Sequence, residues 1–185
     1  MPAGIDRDAL VAHGPVEPGP VADYRRWRTA IGAPLTVYRN GDRMTDRTAS
    51  TVWTGTLFEG SGAVTLASSG LVSDAAVSWP ARAEAPDGKT SPEELIAAAH
   101  SSCYSMALSK QLADRGTPAE KLETSVTVTF VPGTGITRSA ITVRVTAPGL
   151  DDTGLAETTS AAKDGCPVSQ ALADSVEITL DAAFA

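Results

Sequence analysis

Three stretches in the C-terminal half of the chain alternate apolar and polar residues with a period of two. They are residues 126–130, 141–146 and 176–181, and their intervening positions are mostly threonine or charged residues. Successive side chains of a strand point to opposite faces of its sheet, so this alternation predicts strands with one covered face. Strands of this kind are typical of antiparallel sheets. The fold must therefore supply a layer that covers one face of a sheet.

The stretch SPEELIAAAHSSCYSMALSKQLADRG, residues 91–116, predicts a long helix. Ser91 suits the N-cap, Pro92 suits the first helical position, and Gly116 is a natural C-terminal stop. Two glutamates in the first turn favour the positive end of the helix dipole. The apolar residues cover more than one face, so several elements bury this helix or it lies in a subunit interface.

Shorter signals complete the predicted domain. Residues 50–58, 63–68 and 71–79 read as strands, with a turn at GSG (60–62) and a loop over residues 80–92. GTG (133–135) joins two later strands, and residues 154–165 and 167–174 predict two short helices. The predicted fold class is α+β, with a curved antiparallel sheet, a long central helix and two short helices.

The N-terminal quarter differs from the rest of the chain. Residues 1–43 are rich in proline and glycine without a sustained period, which predicts an irregular extension. Tyr24, Trp27 and Ile31 are candidates for docking a short helix on the domain. The compact domain is predicted over residues 44–185.

Charge and apolar content limit the function classes. The net charge is −7 and the pI about 4.8, which argues against nucleic acid or an anionic membrane as a partner. No apolar run approaches the ~20 residues that span a bilayer, and no signal peptide is recognisable. We therefore expect a cytoplasmic protein, in which two cysteines seldom form a permanent bridge.

The two cysteines occupy contrasting positions. Cys166 stands between Gly165 and Pro167, at the predicted N-cap of a helix, where the dipole favours a thiolate. Cys103 lies about three turns into the long helix among small residues, so it is either a buried structural cysteine or a reactive one. A reactive Cys103 needs a cation from outside its own helix, and arginine is the best candidate.

Other combinations of residues give weaker indications of a functional site. His100, one turn before Cys103, allows a Cys–His nucleophile, although a base so close along one helix is seldom well aimed. Two cysteines and two histidines do not match a structural zinc site. The sequence contains no phosphate-binding loop and no dinucleotide fingerprint.

Together, SPEELIAAAHSSCYSMALS and AAKDGCPVSQALADSVEITLDA resemble the OsmC/Ohr family, most closely its OsmC branch. VWTGTL and GSGAVTLASSG resemble the opening hairpin of that family, so the resemblance runs from about Val52 to the C-terminus. It implies a thiol-dependent peroxidase that reduces organic hydroperoxides and hydrogen peroxide in stress defence. It also implies an intertwined homodimer with its active sites at the subunit interface.

The resemblance assigns four site residues. Cys103 matches the cysteine that attacks peroxide, and Cys166 matches the resolving cysteine. Arg82 matches the catalytic arginine of the OsmC branch, and Glu93 matches the acidic residue that pairs with it. Glu59 stands near the place where the Ohr branch has its arginine, which favours Arg82 for this role. The family implies an external dithiol reductant, a lipoyl or similar small dithiol, and no metal, haem or flavin.

The spacing of Glu93 and Cys103 sets a geometric condition. Ten residues of one straight helix rise about 15 Å, so these side chains cannot touch within one chain. Either the helix breaks, or the arginine and glutamate reach the cysteine from a second subunit. Two other functions stay open: a Cys–His hydrolase or acyl transferase using Cys103 and His100, and a non-catalytic dimeric binding module.

Overall fold

The structure, a computed structural model, describes residues 45–185. The predicted extension over residues 1–43, with its docking residues Tyr24, Trp27 and Ile31, lies outside the described residues. The described elements, in chain order, are β1 (Ser50–Thr54), β2 (Ser61–Thr65), β3 (Ala75–Val77), α1 (Trp79–Ala83), α2 (Pro92–Arg115), β4 (Lys121–Val131), β5 (Gly135–Thr146), α3 (Asp152–Gly165), α4 (Pro167–Leu172) and β6 (Glu177–Phe184).

The first sheet is an antiparallel meander in the order β1, β2, β3. Its three strands were expected from the sequence, but the first turn spans residues 55–60 rather than 60–62. Gly60 explains the difference, because a Cβ there would run into the carbonyl oxygens of Thr54 and Thr56. The glycine is therefore needed for a close backbone approach at the end of this loop.

Arg82 lies on a short helix, α1, where the sequence predicts a loop. The helix begins after Ser78, whose Oγ accepts a hydrogen bond of 3.3 Å from the N–H of Ala81. Pro80 occupies its first turn, and serine at the N-cap with proline just inside is a helix-start signal. Five residues are too few for an apolar period to appear, so the sequence pattern missed this helix.

The long helix α2 is confirmed with its predicted ends. The Ser91 side chain accepts a hydrogen bond of 3.1 Å from the N–H of Glu94, and Gly116 ends the helix with a φ of 87°. Both ends are determined by local capping chemistry, which is why the sequence predicts them well. The helix packs against β4, α3 and α4. Several elements of the same chain therefore bury it, which was one of the two interpretations of its apolar residues.

The second sheet has the order β4, β5, β6, and its two pairings differ in direction. β4 and β5 form the predicted antiparallel hairpin. β6 runs parallel to β5, so the prediction of a wholly antiparallel sheet is wrong here. Helices α3 and α4 form a crossover between β5 and β6, and a helical crossover joins parallel strands. A half-covered strand has a period of two in either direction, so alternation alone could not reveal this.

The core lies between α2, the second sheet and helices α3 and α4. Its buried members are drawn from all of these elements and include Tyr104, Leu108, Leu112, Ile141, Val143, Val145, Leu155, Ala162 and Cys166. The α+β fold class predicted from the sequence is confirmed. What differs is that the described strands form two three-stranded sheets rather than one.

Large apolar side chains remain exposed on and around the first sheet and on one side of α2. Every residue of β1 is exposed, and Val52, Leu71 and Met106 are 71%, 84% and 68% accessible. Exposed apolar surface of this extent is typical of an interaction site. None of the helices within residues 45–185 is long and apolar enough to cross a membrane.

Candidate active site

Cys103 and Cys166 meet where α2 faces the N-terminus of α4. Both are free cysteines; Cys103 is partly buried and Cys166 is completely buried. Cys166 is the N-cap residue of α4, as predicted, yet its thiol makes no capping bond. Instead, the two thiols are close enough for Cys166 to raise the pKa of Cys103. Tertiary packing thus brings together two thiols that are far apart in the sequence.

Within one chain, the surroundings of Cys103 raise the pKa of its thiol. Burial raises the pKa of the Cys103 thiol, and the adjacent Cys166 raises it further. The backbone N–H of Val168 opposes this by donating a hydrogen bond that lowers the pKa of Cys103. Val168 lies in the first turn of α4, so its N–H is one of the donors that a helix leaves unpaired. The sequence did not reveal this contact, since it depends on how α4 packs against α2.

Arg82 and Glu93 form a second pair, held by a forked salt bridge. Arg82 Nε donates to Glu93 Oε1 at 3.0 Å and to Oε2 at 3.2 Å, and Arg82 Nη2 donates to Oε1 at 2.7 Å. The Glu93 side chain is 9% exposed, whereas the Arg82 side chain is 28% exposed. The carboxylate therefore fixes a guanidinium that still faces solvent.

Aromatic rings support the same guanidinium. The Cζ atom of Arg82 lies 4.0 Å from the ring centroid of Phe130 and 5.9 Å from that of Trp79. Trp79 in turn meets the Phe130 ring edge-on at 6.1 Å. A cation over an aromatic face is stabilised by the ring quadrupole, so β4 and α1 both help to orient Arg82. The sequence marked Phe130 only as an inward-facing strand residue.

The two pairs are separated along one helix. α2 is continuous from Pro92 to Arg115, which excludes a break between Glu93 and Cys103. Ten residues of helix rise about 15 Å. The Arg82–Glu93 pair of one chain therefore does not reach the Cys103 thiol of the same chain, and the structure assembles the four predicted site residues as two separate pairs.

A mostly apolar cavity of about 370 Å³ lies beside Arg82. Its walls come from the first sheet, α1 and the start of α2, and they include Trp53, Leu57, Val64, Trp79 and Leu95. On its other side Arg82 borders a more polar depression of about 430 Å³, which Glu93 also lines. The guanidinium thus stands between an apolar and a polar compartment.

Both ring nitrogens of His100 are engaged by serine hydroxyls. The imidazole is completely buried; its Nδ1 lies 2.8 Å from Ser139 Oγ, and its Nε2 lies 2.8 Å from Ser169 Oγ. Burial lowers the pKa of His100, which favours the neutral ring. Both ring nitrogens have hydroxyl partners, so the Cys–His alternative lacks a base aimed at Cys103.

Within residues 45–185, no three His, Cys, Asp or Glu side chains cluster in a way that could hold a metal ion. Chemistry without a metal, haem or flavin remains a prediction from the sequence. The groups available at this site are two thiols, one supported arginine and the carboxylate that orients it.

A family model and a known protein that match this chain point to the same family. The model of the OsmC-like protein family matches residues 85–181, a range that contains Glu93, Cys103 and Cys166 but not Arg82. Peroxiredoxin OsmC of Escherichia coli (strain K12) is 39% identical over 132 residues, which cover 70% of this chain and 90% of that protein.

Solved structures show the same fold. The organic hydroperoxide resistance protein OhrB of Bacillus subtilis matches with a TM-score of 0.54 and 25% identity, covering 74% of this chain and 98% of that one. An organic hydroperoxide resistance protein OsmC from Legionella pneumophila matches with a TM-score of 0.54 and 23% identity, covering 74% of this chain and 96% of that one.

Proposed function

This chain belongs to the OsmC-like family, and we propose that it is a thiol-dependent peroxidase that reduces organic hydroperoxides, and hydrogen peroxide, at Cys103. The name of the E. coli relative, peroxiredoxin, supports peroxidase chemistry, and the name of the B. subtilis protein supports organic hydroperoxides as substrates. The observation that carries the proposal is the contact between the free thiols of Cys103 and Cys166.

In the first step the Cys103 thiolate attacks the distal oxygen of the hydroperoxide. A sulfur–oxygen bond forms, the O–O bond breaks, and the alkoxide that leaves takes up a proton to become an alcohol. Cys103 is thereby oxidised to a sulfenic acid. Arg82 stabilises the thiolate and the negative charge that develops on the leaving oxygen, and Glu93 holds its guanidinium in position.

In the second step Cys166 attacks the sulfenic sulfur of Cys103. A disulfide bond forms, the S–O bond breaks, and the hydroxyl group leaves as water with the proton of the Cys166 thiol. An external dithiol then reduces the disulfide by thiol–disulfide exchange and is itself oxidised. A dithiol of lipoyl type and a cytoplasmic location, where such reductants are kept reduced, belong to the same proposal.

The active unit is proposed to be an intertwined homodimer in which the Arg82–Glu93 pair of one subunit serves Cys103 of the other. Three observations support it. Burial and the adjacent Cys166 raise the pKa of the Cys103 thiol, so a cation is needed to stabilise its thiolate. The Arg82–Glu93 pair stands about 15 Å away along α2. Apolar side chains remain exposed on the first sheet and on α2.

The apolar cavity beside Arg82 supports the preference for organic hydroperoxides. Its walls are mainly apolar and aromatic, so an alkyl or aryl tail gains hydrophobic contact there that hydrogen peroxide cannot make. The peroxide group would then lie at the edge where Arg82 borders the cavity.

Steady-state turnover tests the proposal. With a dithiol in excess, the reduced protein is expected to consume cumene hydroperoxide, and Cys103→Ser should abolish turnover. In a separate assay without the dithiol, Cys166→Ser should still reduce one equivalent of peroxide, since the first step needs only Cys103, and then stop as the sulfenic acid. Turnover that survives Cys103→Ser would contradict the proposal.

A further inference from the structure

The buried imidazole of His100 connects three elements. It lies on α2, its Nδ1 contacts Ser139 of β5, and its Nε2 contacts Ser169 of α4, each at 2.8 Å. Ser139 and Ser169 are 0% and 4% exposed. An apolar residue could fill this space without the desolvation that a buried polar group requires. The proposed chemistry gives this polar cluster no role of its own.

The position of the cluster relates it to the cysteines. His100 precedes Cys103 by three residues on α2, and Ser169 follows Cys166 by three residues along α4. Residues three apart on a helix share a face. The facing sides of α2 and α4 are thus joined by two adjacent contacts, Cys103 to Cys166 and His100 to Ser169.

We propose that His100 is a positioning residue that, through Ser169, holds α4 so that Cys166 remains within attacking distance of the Cys103 sulfur. The inference rests on the proposed function, because it concerns the step in which Cys166 displaces the hydroxyl of the Cys103 sulfenic acid as water. A disulfide brings the two sulfurs to about 2.0 Å. The position of α4 relative to α2 therefore affects how readily the two sulfurs reach bonding distance.

Helix α4 is short enough to need such a contact. It has six residues, and an isolated helix of that length is unstable in water. Cys166 is the N-cap residue of this helix. A small tilt of the helix would therefore misplace Cys166.

Two matched pairs of variants separate positioning from general stability. Ser169→Ala removes the imidazole's bond to α4, whereas Ser139→Ala removes its bond to β5 and leaves α4 attached. In His100→Gln, the side-chain amide nitrogen takes the place of the imidazole Nε2 and can still bind Ser169. In His100→Asn, the side-chain amide nitrogen takes the place of Nδ1 and can bind only Ser139. Each variant keeps one of the two contacts.

The experiment measures two rates after one equivalent of cumene hydroperoxide: formation of the Cys103 sulfenic acid, trapped with dimedone, and closure of the disulfide. Ser169→Ala and His100→Asn should slow closure about five-fold, the loss of roughly one hydrogen bond, and accumulate the dimedone adduct. Ser139→Ala and His100→Gln should close within about two-fold of the parent rate. Sulfenic acid formation should stay within about two-fold in all four.

Equal closure rates in the members of each pair would overturn the positioning role while leaving the peroxidase proposal intact. If the histidine variants do not fold, the two serine variants still decide the question. A parent protein that forms no disulfide at all would overturn both proposals, so the two failures are distinguishable.

Discussion

Glu93 and Cys103 lie ten positions apart on one unbroken helix, about 15 Å from each other along its axis. Glu93 is bound to Arg82, and Cys103 is in contact with Cys166. Each chain thus carries a complete thiol pair and a complete arginine–glutamate pair, but it keeps them apart. In a twofold-symmetric dimer, the arginine–glutamate pair of one chain can lie beside the thiol pair of the other.

Mixed dimers test this arrangement. Subunits with Cys103→Ser lack the thiol, and subunits with Arg82→Ala lack the cation, so each protein alone should be nearly inactive. Refolding them together in equal amounts makes half of the dimers hybrid, and each hybrid has one intact site. We expect about a quarter of the parent turnover from a symmetric dimer of this kind. Turnover no higher than the sum of the two separate variants would mean that Arg82 acts within its own chain.

The forked geometry at Arg82 predicts that charge alone is insufficient. Arg82→Lys keeps the cation but loses the fork on Glu93, so the rate of peroxide attack should fall about ten-fold. Arg82→Ala should lower it further, by about a hundred-fold. Stopped-flow loss of the reduced thiol measures both.

Lys89→Ala is the matched control for Arg82, because Lys89 lines the same polar depression but pairs with the exposed Asp87. It should leave the rate of attack within about two-fold, as expected for an exposed ion pair. An unchanged rate in Arg82→Ala would show that another group activates Cys103.

The exposed apolar residues predict a dimer that one charge can disrupt. Val52 is 71% exposed on β1, and an aspartate there would be buried without a partner in an interface, which costs several kcal/mol. Val52→Asp should give monomers by light scattering and lose turnover with them. Val52→Thr has the same shape without a charge and should remain dimeric. A parent protein that is monomeric at micromolar concentration would contradict the shared site.

His100 predicts a pH dependence of stability. Burial lowers the pKa of His100 from its ordinary 6.5, so below that pH the unfolded chain binds a proton that the folded chain does not. The free energy of unfolding should therefore decrease as the pH falls below 6.5. Above that pH, His100 should cause no such decrease.

His100→Gln, which has no titrating ring, isolates this effect. Its free energy of unfolding should decrease less between about pH 7.5 and 5.5 than that of the parent, when both are measured by urea unfolding. Identical slopes in the two proteins would mean that His100 does not stay neutral in the folded chain.

Local signals made much of the fold predictable. The caps at Ser91 and Gly116 fixed the ends of α2, and the period of two identified the strands of the second sheet. The period of two could not predict the direction of β6, because alternation depends on which face is covered and not on the direction of the neighbour; the signal for a parallel strand lies instead in the helices that precede β6. Helix α1 was missed because five residues hold no period.

The site was predictable in its residues but not in its arrangement. The motifs around Cys103 and Cys166 pointed to both thiols, yet the contact of the Val168 N–H with Cys103 depends on how two helices pack. The Phe130 ring under Arg82 and the two serines on His100 likewise come from different elements. Such contacts join residues far apart in sequence, and no local pattern encodes them.

The proposed mechanism requires the thiols of Cys103 and Cys166 to form one redox pair. The direct measurement is peptide mass mapping of the reduced protein after one equivalent of cumene hydroperoxide, with free thiols blocked at the time of quenching. We expect one new species, a peptide pair joined by a Cys103–Cys166 disulfide, together with stoichiometric loss of the peroxide. Recovery of both thiols as blocked cysteines while the peroxide persists would contradict it.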